Sequence, residues 1–238
     1  MKKNILVSGA SRNLGKFIAE QFAKDGHNIF AISRSASRSY KNIHNIKCDL
    51  LKINQVNLSL KRIKNKFKKI DTIILCAGDS KKYYAKNEKN EDWLRSFNNN
   101  FYVCTNLIES YLKIFNYNKT KIVIFSSIAG IRVSEAPITY SVAKAGLNFY
   151  AKYKAKELSR YNINLNVISP GNIIMKNNNW GKKLISNKKN VLNYIRQNVP
   201  LNTFCSPEEI FNLCKYLSIE NNSAITGSNF IIDGGETL

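Results

Sequence analysis

Along the 238 residues, short runs of consecutive apolar side chains alternate with longer stretches in which apolar positions recur every three or four residues. The first texture describes strands buried on both faces and the second amphipathic helices, so the alternation predicts βαβ units on a parallel sheet. Strands are placed at 5–8, 29–33, 46–48, 72–76, 121–126, 164–168 and 229–232, and helical stretches near 14–25, 52–69, 91–116, 139–160, 174–198 and 207–218. Ser206-Pro207-Glu208-Glu209 gives the last helix a capping serine, a proline at its first position and early acids. With no repeat and no Gly/Ser- or Pro-rich linker, the pattern predicts one α/β domain over 1–238: a doubly wound parallel sheet of about seven strands with helices on both faces. Residues 172–202 differ in texture, with Asn177-Asn178-Asn179-Trp180-Gly181 and scattered lysines, and their place in the chain suits a flap over a pocket.

Composition narrows the setting. After Met1-Lys2-Lys3-Asn4 only Ile5-Leu6-Val7 is apolar before Ser8-Gly9, too short for a signal-peptide core, and no run reaches membrane-spanning length. Five cysteines without Cys-x-x-Cys or Cys/His spacing read as small buried hydrophobes in a reducing cytoplasm. Two histidines, His27 and His44, make a histidine metal site or triad a poor reading. The net charge of +21 raises an acidic partner, whether nucleic acid, anionic lipid or carrier protein. However, Lys, Asn and Ile are abundant together, and in the densest basic run Ile63 and Phe67 lie four apart, as on a helix showing its basic face to water. No nucleic-acid motif accompanies the charge, so no specific nucleic acid and no membrane is expected as partner.

The candidate chemistry begins at Gly9-Ala10-Ser11-Arg12-Asn13-Leu14-Gly15, which follows the first strand and opens the first helix. Glycines there let backbone approach a pyrophosphate, and the helix N-terminus favours its charge. Arg34, at the end of the second strand, replaces the acid that would repel a ribose 2′-phosphate, so NADP(H) is favoured over NAD(H); Arg12 and Arg38 are placed to assist. Further on, Tyr140 stands four residues before Lys144 and thirteen after Ser127, with Asn100 upstream. A tyrosine hydroxyl titrates near pH ~10, and a nearby ammonium favours the phenolate. Four residues apart on a helix the two side chains share a face, while Ser127 is placed to donate to the same substrate oxygen. Ser126 falls on the other face of its strand and reads as structural. Asp79 and Lys81 stand where a pocket mouth would be.

These elements, in this order, resemble the short-chain dehydrogenase/reductase family in its smaller single-domain branch, similar to 3-oxoacyl-carrier-protein reductases. Gly9-x-x-x-Asn13-Leu14-Gly15 stands where the family has Thr-Gly-x-x-x-Gly-x-Gly. Cys48-Asp49-Leu50 looks like its adenine-contacting Asp element, and Leu75-Cys76-Ala77-Gly78 like its Asn-Asn-Ala-Gly segment. Trp93 followed by Asn100, Ser169-Pro170-Gly171, Thr226-Gly227-Ser228 and Asp233-Gly234-Gly235 match further family elements. The resemblance implies a Rossmann-type fold and an NADP(H)-dependent oxidoreductase interconverting a ketone and a secondary alcohol. Tyr140 would be general acid and base, Lys144 would hold the nicotinamide ribose, Ser127 would polarise the carbonyl, and Asn100 would position a water in a proton relay. Gly9, Ser11, Arg12, Asn13, Leu14, Gly15, Arg34, Asp49, Leu50, Ala77, Gly78, Tyr140, Lys144, Pro170, Gly171 and Ile173 would contact the cofactor. The substrate is a carrier-bound 3-oxoacyl group or a small keto compound or sugar. The polar flap leans away from a greasy acyl chain, whereas the basic surface suits an acidic carrier. A homotetramer or homodimer, with Leu147, Phe149 and Tyr153 near its interface or inside the monomer, is implied too. The alternative is a non-catalytic NADP(H)-binding sensor or scaffold.

The departures define expectations of their own. Asn13 replaces a glycine and calls for a left-handed backbone, which Asn tolerates. Leu75 and Cys76 remove polar groups that knit the strand end. Met175 stands where relatives carry a threonine.

Overall fold

In β1 (Asn4–Ser8) successive side chains enter two different apolar layers. Ile5 and Val7 pack with α1 (Asn13–Lys24) and α8 (Pro207–Ile219), whereas Leu6 packs with α2 (Ile53–Phe67), α4 (Val103–Phe115) and α5 (Ile138–Leu158). A strand sandwiched this way has no wet face, which is why its sequence is an unbroken apolar run. Each such side chain contributes about 1.5–3 kcal/mol on burial. The same division holds for β4 (Thr72–Leu75), where Ile74 joins the α1/α8 layer and Ile73 and Leu75 the other.

The computed structural model describes residues 1–35, 40–79 and 88–238; Arg38 and Lys81 lie outside the described residues. With β2 (Asn28–Ser33), β3 (Ile43–Lys47), β5 (Lys121–Phe125), β6 (Asn164–Pro170) and β7 (Asn229–Ile232), the strands form one seven-stranded sheet in the order β3-β2-β1-β4-β5-β6-β7. Every pairing is parallel. The chain winds outward in both directions from β1 and β4. A crevice at the carboxyl ends of that pair, where the winding reverses, is the ligand site such sheets provide. This is the α/β, Rossmann-type, doubly wound architecture anticipated from the pattern.

Three elements differ from the pattern reading. β3 begins at Ile43 and stops before Cys48, because as an edge strand it alternates buried Ile43 with half-exposed His44 and exposed Asn45, which hides it from a search for apolar runs. The stretch read as one helix over 91–116 is α3 (Asn90–Phe97), a π-helical turn over Asn98–Tyr102, and α4. The stretch over 174–198 is two helices, α6 (Asn179–Ser186) and α7 (Lys188–Asn198). Asparagine caps divide it: the Asn178 side chain accepts from Gly181 N at 2.8 Å, and that of Asn187 from Asn190 N at 3.2 Å. The hairpin so formed has its own small core, Trp180, Tyr194 and Phe204 packed around Val191, Ile195 and Val199.

Candidate active site

The turn after β1 is built by close backbone approach. A Cβ on Gly15 would lie 2.5 Å from the Gly9 carbonyl oxygen, and one on Gly9 would lie 2.8 Å from Ala77 N, so neither position admits a side chain. Gly9 (φ +68°) and Asn13 (φ +46°) both take the left-handed backbone, as expected for the asparagine that replaces a glycine. The residue preceding α1, Arg12, places no side-chain cap on that helix, so its first N–H groups are open to a ligand. Where the polar pair before Ala77 is lost to Leu75 and Cys76, Ser8 Oγ accepts from Ala77 N at 3.3 Å, and Cys76 packs on Gly15.

Around this turn lies a cavity of about 340 Å³, lined by Gly9, Ser11, Arg12, Asn13, Leu14, Gly15, Arg34, Asp49, Leu50, Ala77 and Gly78 among others. Eleven of the anticipated cofactor contacts therefore share one crevice. Arg34 and Arg12 are exposed at its rim. Asp49 is less free than its candidate role suggests, since its carboxylate accepts from Leu51 N at 3.1 Å. The cradle, the open helix N-terminus and the rim arginines fit a dinucleotide phosphate group. Ser8 and Asn99 also serve this region and were passed over in the sequence; Asn99 Nδ2 donates to Asp79 Oδ2 at 3.2 Å across the loop.

At the Gly78 end the crevice meets a second cluster. A Cβ on Gly78 would lie 2.9 Å from Asn100 Oδ1 and 3.4 Å from Lys144 Nζ. Asn100, 1 % exposed in the π turn, clamps the loop after β4: Oδ1 accepts from Asp79 N at 3.0 Å, and Nδ2 donates to Asp79 O at 3.0 Å and Ser96 O at 3.1 Å. Lys144 is buried in α5, and its Nζ lies 5.8 Å from the centroid of the half-buried Tyr140 ring, one turn earlier. Ser127 Oγ accepts from Ala129 N at 3.2 Å, capping the 3₁₀ turn Ile128–Gly130. That turn is pressed on α5 at the lysine: a Cβ on Gly130 would come 2.7 Å from the Lys144 carbonyl carbon, and Ser126 Oγ donates to Lys144 O at 3.3 Å. Ser126 is thus structural, as anticipated.

Tyr140, Lys144, Ser127, Pro170, Gly171 and Ile173 stand outside the lining of the 340 Å³ crevice. Tyr140 and Lys144 stand on α5, and the others follow the next strand ends: Ser127 follows β5, Pro170 ends β6, Gly171 N donates to Ile232 O at 2.9 Å, and Ile173 bridges to Cys205. Met175 supports α6 through its backbone: its carbonyl oxygen lies 1.9 Å from where a Cβ on Gly181 would stand, so α6 sits directly on it. The cysteines are free thiols, and burial pushes Cys104 and Cys205 up to about 11 and Cys214 up to about 12, out of the range of a nucleophile. On α5, Leu147 is buried in the core, but Phe149 and Tyr153, on the outer face, are 72 % and 69 % exposed, so burial inside the monomer does not account for that pair.

A family model described as enoyl-(acyl carrier protein) reductase matches residues 9–237. The 3-oxoacyl-[acyl-carrier-protein] reductase of Chlamydia trachomatis serovar D is 29 % identical over 250 residues, covering 99 % of this chain and 97 % of the relative. Carbonyl reductase family member 4 of Xenopus laevis is 28 % identical over 245 residues, covering 100 % and 99 %. The solved structure of ElxO with NADP bound superposes with a TM-score of 0.90 at 26 % identity, covering 100 % of this chain and 99 % of that one.

Proposed function

The chain belongs to the short-chain dehydrogenase/reductase family of oxidoreductases, and from that premise we propose that it reduces a 3-oxoacyl group, held on an acidic carrier protein, to the 3-hydroxyacyl product at the expense of NADPH. The observation that carries the reading is the junction at Gly78, where the end of the dinucleotide crevice meets Lys144, with Tyr140 one helical turn away. The nicotinamide, when bound, supplies the hydride. Arg34 and Arg12, exposed at the crevice rim, would hold the ribose phosphate, and the Gly9–Gly15 turn would receive the pyrophosphate. Pro170, Gly171 and Ile173 would border the nicotinamide, and Lys144 would hold its ribose.

Tyr140 Oη delivers the proton to the substrate oxygen, and Ser127 Oγ donates a hydrogen bond to that oxygen as charge develops on it. Lys144 Nζ, 5.8 Å from the Tyr140 ring centroid, stands beside the proton-transfer group. Asn100 fixes the loop through Gly78 and supports a water relay to Lys144.

The carrier is supported by the α6–α7 hairpin beside the site. Residues 172–202 contain five lysines and Arg196 but no acid, and all six cations are exposed. Ile185, 79 % exposed among them, offers an apolar anchor to an acidic partner. We place the protein in the cytoplasm as a homo-oligomer assembled through the α5 face bearing Phe149 and Tyr153. The test is NADPH oxidation by the purified protein with carrier-bound 3-oxoacyl, keto-sugar and small ketone substrates. Fastest turnover of the carrier-bound substrate, suppressed by salt, is expected. Preference for a keto-sugar overturns the substrate, and NADPH binding without turnover of any ketone identifies a sensor or scaffold.

A further inference from the structure

The carboxylate of Glu236 is 2 % exposed, and groups from three separate elements converge on it. Tyr194 Oη, on α7, donates to Oε1 at 2.9 Å. Asn172 Nδ2, two residues past the end of β6, donates to Oε1 at 2.9 Å and Oε2 at 3.2 Å. An Arg132 guanidinium nitrogen, in the loop that leads on from Ser127, lies 3.4 Å from Oε1. Asn172 extends the set to α6, since its Oδ1 accepts from Trp180 Nε1 at 2.6 Å. The carboxylate also abuts the Pro170–Gly171 turn: a Cβ on Gly171 would come 3.3 Å from Oε2.

The tail is wound tightly to deliver this side chain. Gly234 (φ +66°) and Gly235 (φ +89°) take left-handed backbone, and the Asp233 carboxylate accepts from Gly235 N at 2.9 Å and Thr237 N at 2.8 Å. Burying a carboxylate is expensive, and a neutral side chain of similar size would fill the place at lower electrostatic cost. What the carboxylate adds is the capacity to gather donors from three elements at once. Among the described residues Arg132 Nε has no partner, which leaves Glu236 as the acceptor the structure gives that guanidinium.

We propose that Glu236 is a positioning residue: it latches the α6–α7 hairpin and the Asn172 segment to the loop following Ser127, and so sets the wall against which the ketone binds. The proposal rests on the oxidoreductase reading for its kinetic consequence but not for its structural one. The latch holds best with Glu236 ionised, because protonation removes the ion pair with Arg132. Burial pushes the Glu236 carboxyl above the usual carboxylate range, opposed by Tyr194, Arg132 and Asn172 and reinforced by Asp233; Glu135 is the further acid facing Tyr194.

Two measurements on the full chain test it. In steady-state kinetics, Glu236→Ala is expected to raise KM for the ketone about 10- to 100-fold, the equivalent of a lost set of charge-assisted hydrogen bonds, with kcat within about threefold of the parent. Glu236→Gln keeps an acceptor for Tyr194 and Asn172 but not the ion pair with Arg132, so its KM is expected to fall between those of the parent and Glu236→Ala. It is also expected to abolish the rise in KM that the parent shows as pH falls through the titration of Glu236. An unchanged KM in both variants, or a loss confined to kcat, overturns the proposal. Independently of turnover, trypsin is expected to cut the hairpin at Lys182, Lys183, Lys188 or Lys189 several-fold faster in Glu236→Ala than in the parent or Glu236→Gln. Equal cleavage in all three overturns it even if no ketone is reduced. Should Glu236→Ala not fold, Tyr194→Phe, which removes one donor, is expected to show the same changes at smaller size, and its silence in both assays is equally decisive.

Discussion

Lys144 Nζ donates to the carbonyl oxygen of Phe125 at 3.0 Å, tying the middle of α5 to the last residue of β5. The residues on either side of that bond are the candidate proton-transfer groups, Tyr140 one turn back on the helix and Ser127 two residues beyond the strand. A buried ammonium held from below by a carbonyl keeps its position whether or not Tyr140 carries a hydroxyl. Tyr140→Phe is therefore expected to lower kcat by about a thousandfold, within the range spanned by general acid–base groups, while leaving NADPH affinity within about threefold. Turnover assays paired with a fluorescence titration of NADPH check both halves, and undiminished turnover removes Tyr140 from the chemistry.

Arg34 meets the crevice as an exposed cation, so its contribution is to charge recognition and not to the shape of the fold. Arg34→Ala is expected to weaken NADPH binding about 10- to 100-fold and NADH binding hardly at all. Titrations of both dinucleotides at two salt concentrations decide it: an equal loss for both would mean that Arg34 does not read the 2′-phosphate.

Gly181 is the tightest glycine contact in the hairpin, its Cβ position 1.9 Å from the Met175 carbonyl oxygen. A backbone oxygen cannot swing aside as a side chain would. Gly181→Ala is expected to destabilise by about 1–3 kcal/mol and lower the melting temperature by roughly 2–12 °C in a scan of the purified protein.

At the start of α8, Ser206 Oγ accepts from Glu209 N at 3.1 Å while Glu209 Oε2 accepts from Ser206 N at 2.7 Å. The bonds from Ser206 hold the Glu209 carboxyl below the usual carboxylate range. The contribution is full above the unfolded-state value and is lost as pH falls through the lowered folded-state one. Ser206→Ala is expected to cost about 1 kcal/mol at neutral pH, and Glu209→Gln to flatten the acid limb of stability in urea unfolding followed from pH 7 down to 3.

Phe149 and Tyr153 lie four apart on α5 and are largely exposed, an apolar stripe of the kind that a neighbouring helix covers. Replacing both with Glu is expected to convert an oligomer to monomer in light scattering coupled to gel filtration. Unchanged mass would place the interface elsewhere.

How far the sequence reveals this depends on whether a feature is local. Five of the seven strands, β1, β2, β4, β5 and β6, announce themselves because they lie inside the sheet, buried on both sides, and so lack polar alternation; β7, at an edge and half-exposed, is still legible from its short run Phe230-Ile231-Ile232. Ser206-Pro207 is likewise visible because a cap is decided within four residues. β3 was displaced because its outer positions are wet. The break between α6 and α7 was missed because the Asn-rich runs around Asn178 and Asn187 look like uniform polarity, and only geometry shows which amide folds back to cap. The crevice was legible as far as Gly9–Gly15 and Arg34, whose order along a βαβ unit carries the chemistry. The gathering at Glu236 was not, since Arg132, Asn172 and Tyr194 lie far from it in sequence and meet only through the sheet order.

A π turn accommodates one more residue than the α turn it replaces, and that surplus falls on Asn98–Tyr102. In an α-helix one residue is worth about 100° of rotation. Deleting one residue of Asn98–Tyr102 other than Asn100 is expected to let α3 and α4 merge into a regular helix and to turn Asn100 relative to Asp79, although every side chain of the clamp would still be present. The site is thus specified here by a residue count as well as by residue identities.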